Sequence, residues 1–315
     1  MATTPYLVDL ALRLGRGMER LPQPFRQKHA DWLVALQRRD GGFAGRQGAS
    51  NLYYTGFALR LAQLLDVRSF EFWECVGDYF RLKAPEPHDM PDILIRLMAR
   101  PMLQMRGISL WPDAADQDEV ARCRRLIDTA RSGDAYVRRP GQSLSIFQAF
   151  HATLCYEVLG DAIPNSARLG AAIRRRQRPD GGFVDMPESA DDSGTNPTAA
   201  AVGTLKALRE LHEETGARAA AFMASMQRPD GGFAAHARSP MSDLMTTFTA
   251  LTTIGDSGSL RAVRLGDAGR FVRDLILDSG GFLAAPGDDA PDIEYTYYGV
   301  GALALLAAET VEKRF

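Results

Sequence analysis

Cysteine and lysine are both scarce in this chain of 315 residues. Its three cysteines, Cys75, Cys123 and Cys155, are too few and too scattered for a disulfide framework or a cysteine-built zinc site. No apolar run approaches the roughly 20 residues that a membrane helix needs. Met1 to Gly17 lacks the basic lead and apolar core of a secretory signal. These absences predict a cytoplasmic protein with no membrane span. An excess of one charge is missing as well. The 37 basic and 39 acidic residues are interspersed and leave a net charge of −2, which excludes the basic footprint of a nucleic-acid binder. Only Lys28, Lys83, Lys206 and Lys313 are lysines, and that arginine bias, with heavy Ala and Gly, points to a GC-rich bacterial genome. What is present is a globular mixture, 45% hydrophobic and 24% charged, in a length about twice a typical domain.

A repeat decides the architecture. Gln37-Arg-Arg-Asp-Gly-Gly-Phe43 returns as Gln177-Arg-Pro-Asp-Gly-Gly-Phe183 and as Gln227-Arg-Pro-Asp-Gly-Gly-Phe233, with a weaker Asp278-Ser-Gly-Gly-Phe282 after them. The first glycines, 41, 181, 231 and 280, are separated by 140, 50 and 49 residues. The long gap is nearly three periods, so it holds two eroded copies, one at Gly133-Asp-Ala-Tyr136 and one near Pro87. In each copy an amphipathic helix ends at the Gln, Asp-Gly-Gly turns the chain, and the Phe plugs between repeats. A more apolar helix follows, as in Asn51-Leu-Tyr-Tyr-Thr-Gly-Phe-Ala-Leu59 and Tyr295-Thr-Tyr-Tyr-Gly-Val-Gly-Ala-Leu303. Helix pairs at this period stack to bury one another's apolar faces. The polar first helices suit an outer ring and the small-residue second helices an inner one. The expected fold is all-α: a closed α/α toroid of five or six repeats, one domain over 1–315, with a divergent segment at 67–132. An open solenoid is the alternative, but its repeats have no such turn.

The repeat resembles that of the prenyltransferase and squalene-cyclase superfamily from about Trp32 to Leu306. The end of the chain, Asp292-Ile-Glu-Tyr-Thr-Tyr-Tyr-Gly-Val-Gly-Ala-Leu-Ala-Leu-Leu306, is most similar to the beta subunit of protein geranylgeranyltransferase type II. Taking Thr55, Ser145, Thr198, Thr247 and Thr296 as a common origin, the residues four before are Asn51, Gly141, Gly194, Asp243 and Asp292. Those two before are Tyr53, Ser143, Asn196, Met245 and Glu294. In a toroid these positions ring one mouth of the cavity, where helix N-termini favour an anion such as a diphosphate. Aromatic walls below would suit an isoprenoid chain, with Tyr53, Tyr54, Tyr295, Tyr298 and Phe248 as candidate lining.

The resemblance implies prenyl transfer from a prenyl diphosphate, but with a degraded metal site. The zinc ligands of the protein prenyltransferases fall on Asp243, Met245 and Tyr295, and only the Asp is retained. A thioether and a phenol replace thiolate and imidazole, so no catalytic zinc of that type is expected. The diphosphate-gripping loop becomes Ala235-His-Ala-Arg238, which makes His236 and Arg238 candidate anion contacts. The cyclase branch of the superfamily offers an alternative. Asp292-Ile-Glu-Tyr-Thr296 is similar in outline to its Asp-x-Asp-Asp motif, with Glu294 in the place of the protonating acid and Asp292 beside it. On either reading Asp243, Asp292 and Glu294 are the candidate catalytic residues; the bland reading is that Asp243 and Asp292 only cap helices. Glu188, Asp191, Asp192, Asp288 and Asp289 could join them in an acidic rim able to hold Mg²⁺. His151, among apolar residues, reads as packed core. A third reading is a toroid retained as a non-catalytic lipid-binding protein or scaffold. Eukaryotic relatives work with a helical-repeat alpha subunit, which leaves a protein partner open, and segment 67–132 is where a partner could dock or a cover could lie.

Overall fold

The repeated Asp-Gly-Gly-Phe segment is a hydrogen-bonded module built the same way in its three full copies, while in the fourth His29 replaces the Asp as acceptor for the second glycine's N–H. In the computed structural model, which describes residues 4–111, 113–188, 192–258 and 260–309 (113–116 by backbone only), Asp230 Oδ1 accepts from Gly232 N at 3.0 Å and from Ser242 Oγ at 3.0 Å. Asp40 and Asp180 do the same with Gly42 and Ser50, and with Gly182 and Ser193. The Gln side chain spans to the next repeat. Gln227 Nε2 donates to Gly231 O at 3.0 Å and to Arg264 O at 3.1 Å, and Gln37 reaches Phe72 O in the same way. Phe43, Phe183, Phe233 and Phe282 are fully buried. Each donates its N–H to the threonine of the following helix, Thr55, Thr198, Thr247 or Thr296, at 2.9–3.1 Å. The residues singled out by repetition are therefore the ones that join each outer helix to its inner partner and to the next outer helix.

Six outer–inner pairs result. They are α2 (Gln23–Ala35) with α3 (Leu52–Leu64), α4 (Phe70–Asp78) with α5 (Met90–Gln104), and α6 (Asp113–Thr129) with α7 (Ile146–Leu159). α8 (Ser166–Arg174) pairs with α9 (Thr195–Ala207), α10 (Glu213–Ser225) with α11 (Leu244–Asp256), and α12 (Leu265–Asp274) with α13 (Ile293–Glu309). The inner helices pack in the order α3, α5, α7, α9, α11, α13 and back to α3, so the ring is closed. The seam is explicit: the last turn docks on the first outer helix, with Gly281 N donating to His29 Nδ1 at 3.0 Å and Lys28 Nζ to Leu277 O at 3.3 Å. Two short antiparallel ladders, β1 (Arg131–Ser132) with β2 (Ala135–Tyr136) and β3 (Phe233–Ala234) with β4 (Ser242–Asp243), lie in the loops between pair members.

The divergent segment 67–132 is part of this ring. Instead of covering the cavity it supplies α4, α5 and the outer helix α6. Its turn has lost Gly-Gly and runs through a π-helical turn, Tyr79–Lys83, before Asp89 caps α5 by accepting from Asp92 N at 3.0 Å. The Gly133 copy also needs re-registering. Ser145 accepts from Gln148 N at 3.2 Å as the N-cap of α7, and its own N–H donates to Tyr136 O as Asn51 N does to Phe43 O. Ser145 thus stands where Asn51, Gly194 and Asp292 stand, one turn earlier than the expected register, and Gly141 and Ser143 precede the mouth position.

One element was not anticipated. The first helix, α1 (Tyr6–Met18), lies against α3, α7, α9 and α13, across the end of the ring where the inner helices finish. Polar groups at those helix ends hold it there. Asp256 of α11, its side chain 1% exposed, meets Arg13 at 2.7 Å and Lys206 of α9 at 2.7 Å, and accepts from Tyr6 OH at 3.2 Å. Glu157 of α7 accepts from Tyr6 N at 2.9 Å, and Arg20 donates to Ala307 O at 2.9 Å. α1 therefore forms a floor at that end of the ring, opposite the end where the inner helices begin. Among the described residues, no helix is long and apolar enough to cross a membrane.

Candidate active site at the mouth of the ring

The start of α13 carries the two most closely placed candidate acids. Asp292 is 6% exposed and accepts from Glu294 N at 2.8 Å. Glu294 is 9% exposed, and its Oε1 accepts from Tyr53 OH of α3 at 2.6 Å, across the seam of the ring. Burial raises both carboxyls above their ordinary range. For Asp292 the N–H of Glu294 and the charge of Arg46 work against that rise. For Glu294 the Tyr53 hydrogen bond opposes it and the neighbouring Asp292 adds to it. Burial disfavours the charged form of an acid, so this is an environment that retains protons.

Aromatic rings continue from this pair into the lumen. Tyr53 packs edge-on to Tyr54 and Phe57 at 5.3 and 5.1 Å, and Phe57 meets Tyr297 and Tyr298 of α13 at 5.6 and 5.4 Å. Phe248 of α11 stands 5.5 Å from Tyr298; Phe248, Phe57 and Tyr297 are 5%, 4% and 6% exposed, so these three back the wall and the half-buried Tyr298 and Tyr295 line it. Tyr295 lies beside Tyr298, and burial together with Glu294 pushes its phenol up to about 12. The structure thus brings Asp292, Glu294, Tyr53, Tyr54, Tyr295 and Tyr298 together. At the rim, Arg46, Tyr54, Met241, Asp288, Asp292 and Tyr295 border an open groove of about 500 Å³. A far smaller cavity, about 10 Å³, lies deeper between α3 and α5.

Two arginines at this site escaped the sequence reading. Arg46, three residues after Phe43, is bonded to both carboxylate oxygens of Asp288, at 2.7 and 2.5 Å, and that pairing holds Asp288 down at about 2. Arg60 sits on α3 two turns below Tyr53, its guanidinium 4.1 Å over the Phe57 ring and 4.9 Å from that of Tyr297. Its signal was present, since it is a charged residue in an otherwise apolar inner helix.

Other candidate residues are engaged by neighbouring groups. Asp243 caps α11, accepting from Thr246 N at 2.8 Å and Thr246 Oγ1 at 2.6 Å, so both oxygens are occupied within the first turn. Met245 takes a contact from Asn196 Nδ2 at 4.0 Å. The trio Asp243, Met245 and Tyr295 therefore does not fit a zinc site: one ligand is a cap, and the others are a thioether and a phenol held neutral. His236 is exposed, and Arg238, its side chain 72% exposed, pairs at 2.6 Å with Asp192. The acidic rim is dispersed. Glu188 bonds Ser143, Asp288 is engaged by Arg46, and Asp191 lies outside the described residues. Among the described residues, no three His, Cys, Asp or Glu side chains gather to hold a metal. His151 is half-buried on α7, its Nδ1 fixed by Phe147 O at 2.7 Å, and burial lowers its pKa.

With this geometry in hand, comparison with known proteins is informative. The prenyltransferase alpha-alpha toroid domain family matches residues 6–79 and 120–314, omitting the part of the ring where the turn is eroded. Protein geranylgeranyltransferase-I of Candida albicans, solved with GGPP, superposes with a TM-score of 0.66 at 14% identity, over 90% of this chain and 92% of that one. A variant of the type II terpene cyclase MstE from Scytonema, in complex with geranylgeranyl dihydroxybenzoate, gives a TM-score of 0.61 at 14% identity, over 95% and 99%. A protein from Actinoplanes gives 0.58 at 15% identity, over 90% and 98%. No sequence among the curated proteins matches the chain. Likeness at such identities establishes the fold alone.

Proposed function

The chain belongs to the prenyltransferase alpha-alpha toroid domain family, and from that premise we propose that it takes an isoprenoid into the ring and protonates it from the Asp292–Glu294 pair. The observation that carries this reading is the buried Glu294, held at 2.6 Å by Tyr53 and facing a wall of Phe57, Tyr297 and Tyr298. An acid kept neutral by burial can deliver a proton, and electron-rich ring faces stabilise the cation that forms.

The step balances within the chain's own residues and the substrate. The π electrons of a terminal trisubstituted alkene take the proton from the Glu294 carboxyl, leaving the carboxylate and a tertiary carbocation. A second alkene of the same chain adds to that cation and closes a ring. Loss of a proton from the neighbouring carbon to the Glu294 carboxylate restores the acid, and the product is an isomer of the substrate. Asp292 and Tyr53 are the positioning residues. Asp292 fixes the backbone of Glu294 by accepting its N–H, and Tyr53 holds its Oε1.

Prenyl transfer is the second reading, in keeping with the fold shared with the Candida albicans protein geranylgeranyltransferase-I that was solved with GGPP. The residues support it less. The positions that would activate a thiolate hold a helix cap, a thioether and a phenol, and the rim cations Arg46 and Arg238 are engaged by Asp288 and Asp192. The test is incubation of the purified protein with farnesyl and geranylgeranyl substrates, with products resolved by gas chromatography and mass spectrometry. Cyclised isomers are expected, with Glu294→Gln lowering their rate roughly 10²–10⁴-fold as removal of a general acid does. Full activity in Glu294→Gln would overturn the assignment.

A further inference from the structure

Arg60 is the charged residue of the lumen wall that the proton-transfer scheme leaves unused. Other ionic side chains of the inner helices lie elsewhere: Glu157, Lys206 and Asp256 bind α1 at the floor, and Arg96 is bonded to Glu119 at the outer helix α6. Arg60 Nε donates to Gly56 O at 3.1 Å, one turn back on its own helix, and the guanidinium also reaches the Tyr297 phenol, which leaves the rest of its terminal N–H edge for a ligand. Rings on two helices, Phe57 and Tyr297, hold the guanidinium in place. Among the described residues no carboxylate forms a salt bridge with it. The carboxyl whose charge it favours is Glu294, and in the protonated form that the proposed reaction needs, Glu294 returns no charge; a half-buried cation left so is costly to keep, and an anion would relieve that cost.

We propose that Arg60 is the receptor for a carboxylate on the substrate, so that the ligand is an isoprenoid acid whose charged group enters the lumen beside α3. This rests on the isoprenoid reading of the site and narrows it. Three observations select a carboxylate over a diphosphate. A single planar guanidinium offers parallel donors that match a planar carboxylate. A diphosphate carries more charge than one arginine balances, and the arginines at the rim are already paired with aspartates. Finally, the space at Arg60 is small and apolar. The cavity it borders is about 10 Å³, walled by Gly56, Leu59, Ile95, Met98 and Met102. The two methionines are flexible enough to give way to a carboxylate, less so to a bulkier head group.

The experiment compares geranylgeranoic acid with its methyl ester by isothermal titration against the wild type, Arg60→Met and Arg60→Lys. The acid is expected to bind the wild type roughly ten- to a hundredfold more tightly than the ester, the range for a charge-assisted hydrogen-bonded contact. Arg60→Met should abolish that preference, and Arg60→Lys, which keeps the charge without the fork, should retain part of it. Equal binding of acid and ester by the wild type, or a preference that survives in Arg60→Met, overturns the proposal. If the ester is bound and cyclised but the acid is not preferred, only this inference falls; if neither ligand binds, the isoprenoid reading falls with it.

Discussion

Gly231→Ala isolates what the repeated turn contributes. Gly231 has φ +95°, which an L side chain adopts only under strain, and a Cβ placed there would lie 2.3 Å from the carbonyl oxygen of Asp267 in α12. The first cost, forcing a side chain into left-handed backbone, is about 1–2 kcal/mol. The second arises because the close neighbour is backbone, so the first turn of α12 must back away; overpacking of that kind costs about 1–3 kcal/mol. Together they come to about 4 kcal/mol. Gly48 is the internal control. It has φ +91°, but a Cβ added there would meet nothing within 4 Å, so Gly48→Ala incurs the first cost alone. With an unfolding entropy of about 2.1 cal/mol/K for each of the 315 residues, 4 kcal/mol corresponds to a Tm lower by about 6 °C, against about 2 °C for Gly48→Ala. Thermal and urea melts followed by circular dichroism read both. Equal losses in the two variants would refute the claim that the first glycine is there to let adjacent repeats touch.

Three further outcomes are expected. The proton-donating form of Glu294 exists below its raised pKa, so activity should be highest at low pH and fall as pH rises through that value; because the Tyr53 hydrogen bond favours the ionised form, Tyr53→Phe should move the falling limb of kcat/KM to higher pH, and a downward move would contradict this. Asp256→Asn leaves Arg13 and Lys206 without their buried partner and should cost about 3 kcal/mol, with faster hydrogen exchange in α1; unchanged protection there would mean that the floor is held by other contacts. His29 is fully buried, accepts from Gly281 N, and is lowered to about 4 by burial, so its neutral form stabilises the seam above the unfolded value of 6.5. That stabilisation should be lost as pH falls from 6.5 towards 4, by up to about 3 kcal/mol, and a His29→Gln variant should show a flatter dependence in urea melts.

The fold was legible because three turns use the same atoms: an Asp to bind the second glycine's N–H, a Gln to reach the next outer helix and a Phe whose N–H meets a threonine. The fourth keeps the glycines and the Phe, and His29 across the seam takes over from the Asp. Where other geometry does that work, legibility fails. Between α4 and α5 a π-helical turn and the Asp89 cap replace the glycines, and the helix pair there is visible only in three dimensions. The candidate site was half legible. Asp292, Glu294 and the tyrosines follow from register alone, since residues at the start of α13 and α3 must share the mouth. Arg46 and Arg60 do not follow from it, because one acts through a salt bridge across the seam and the other through ring stacking inside the lumen. His236 and Arg238 were placed by loop position, and Arg238 pairs with Asp192 instead. The floor helix α1 lies outside the repeat, so no periodicity could announce it.

The most direct test of the account is to run the reaction in D₂O with geranylgeranoic acid and, in parallel, geranylgeranyl diphosphate, and to examine the products by mass spectrometry and NMR. Protonation from Glu294, exchanged with solvent between turnovers, predicts a cyclised product of the acid that carries one deuterium at the initiating carbon and forms roughly 10²–10⁴-fold more slowly with Glu294→Gln. Release of pyrophosphate, with no deuterium in the hydrocarbon product, would show that ionisation of the diphosphate starts the chemistry and would contradict the role assigned to Glu294.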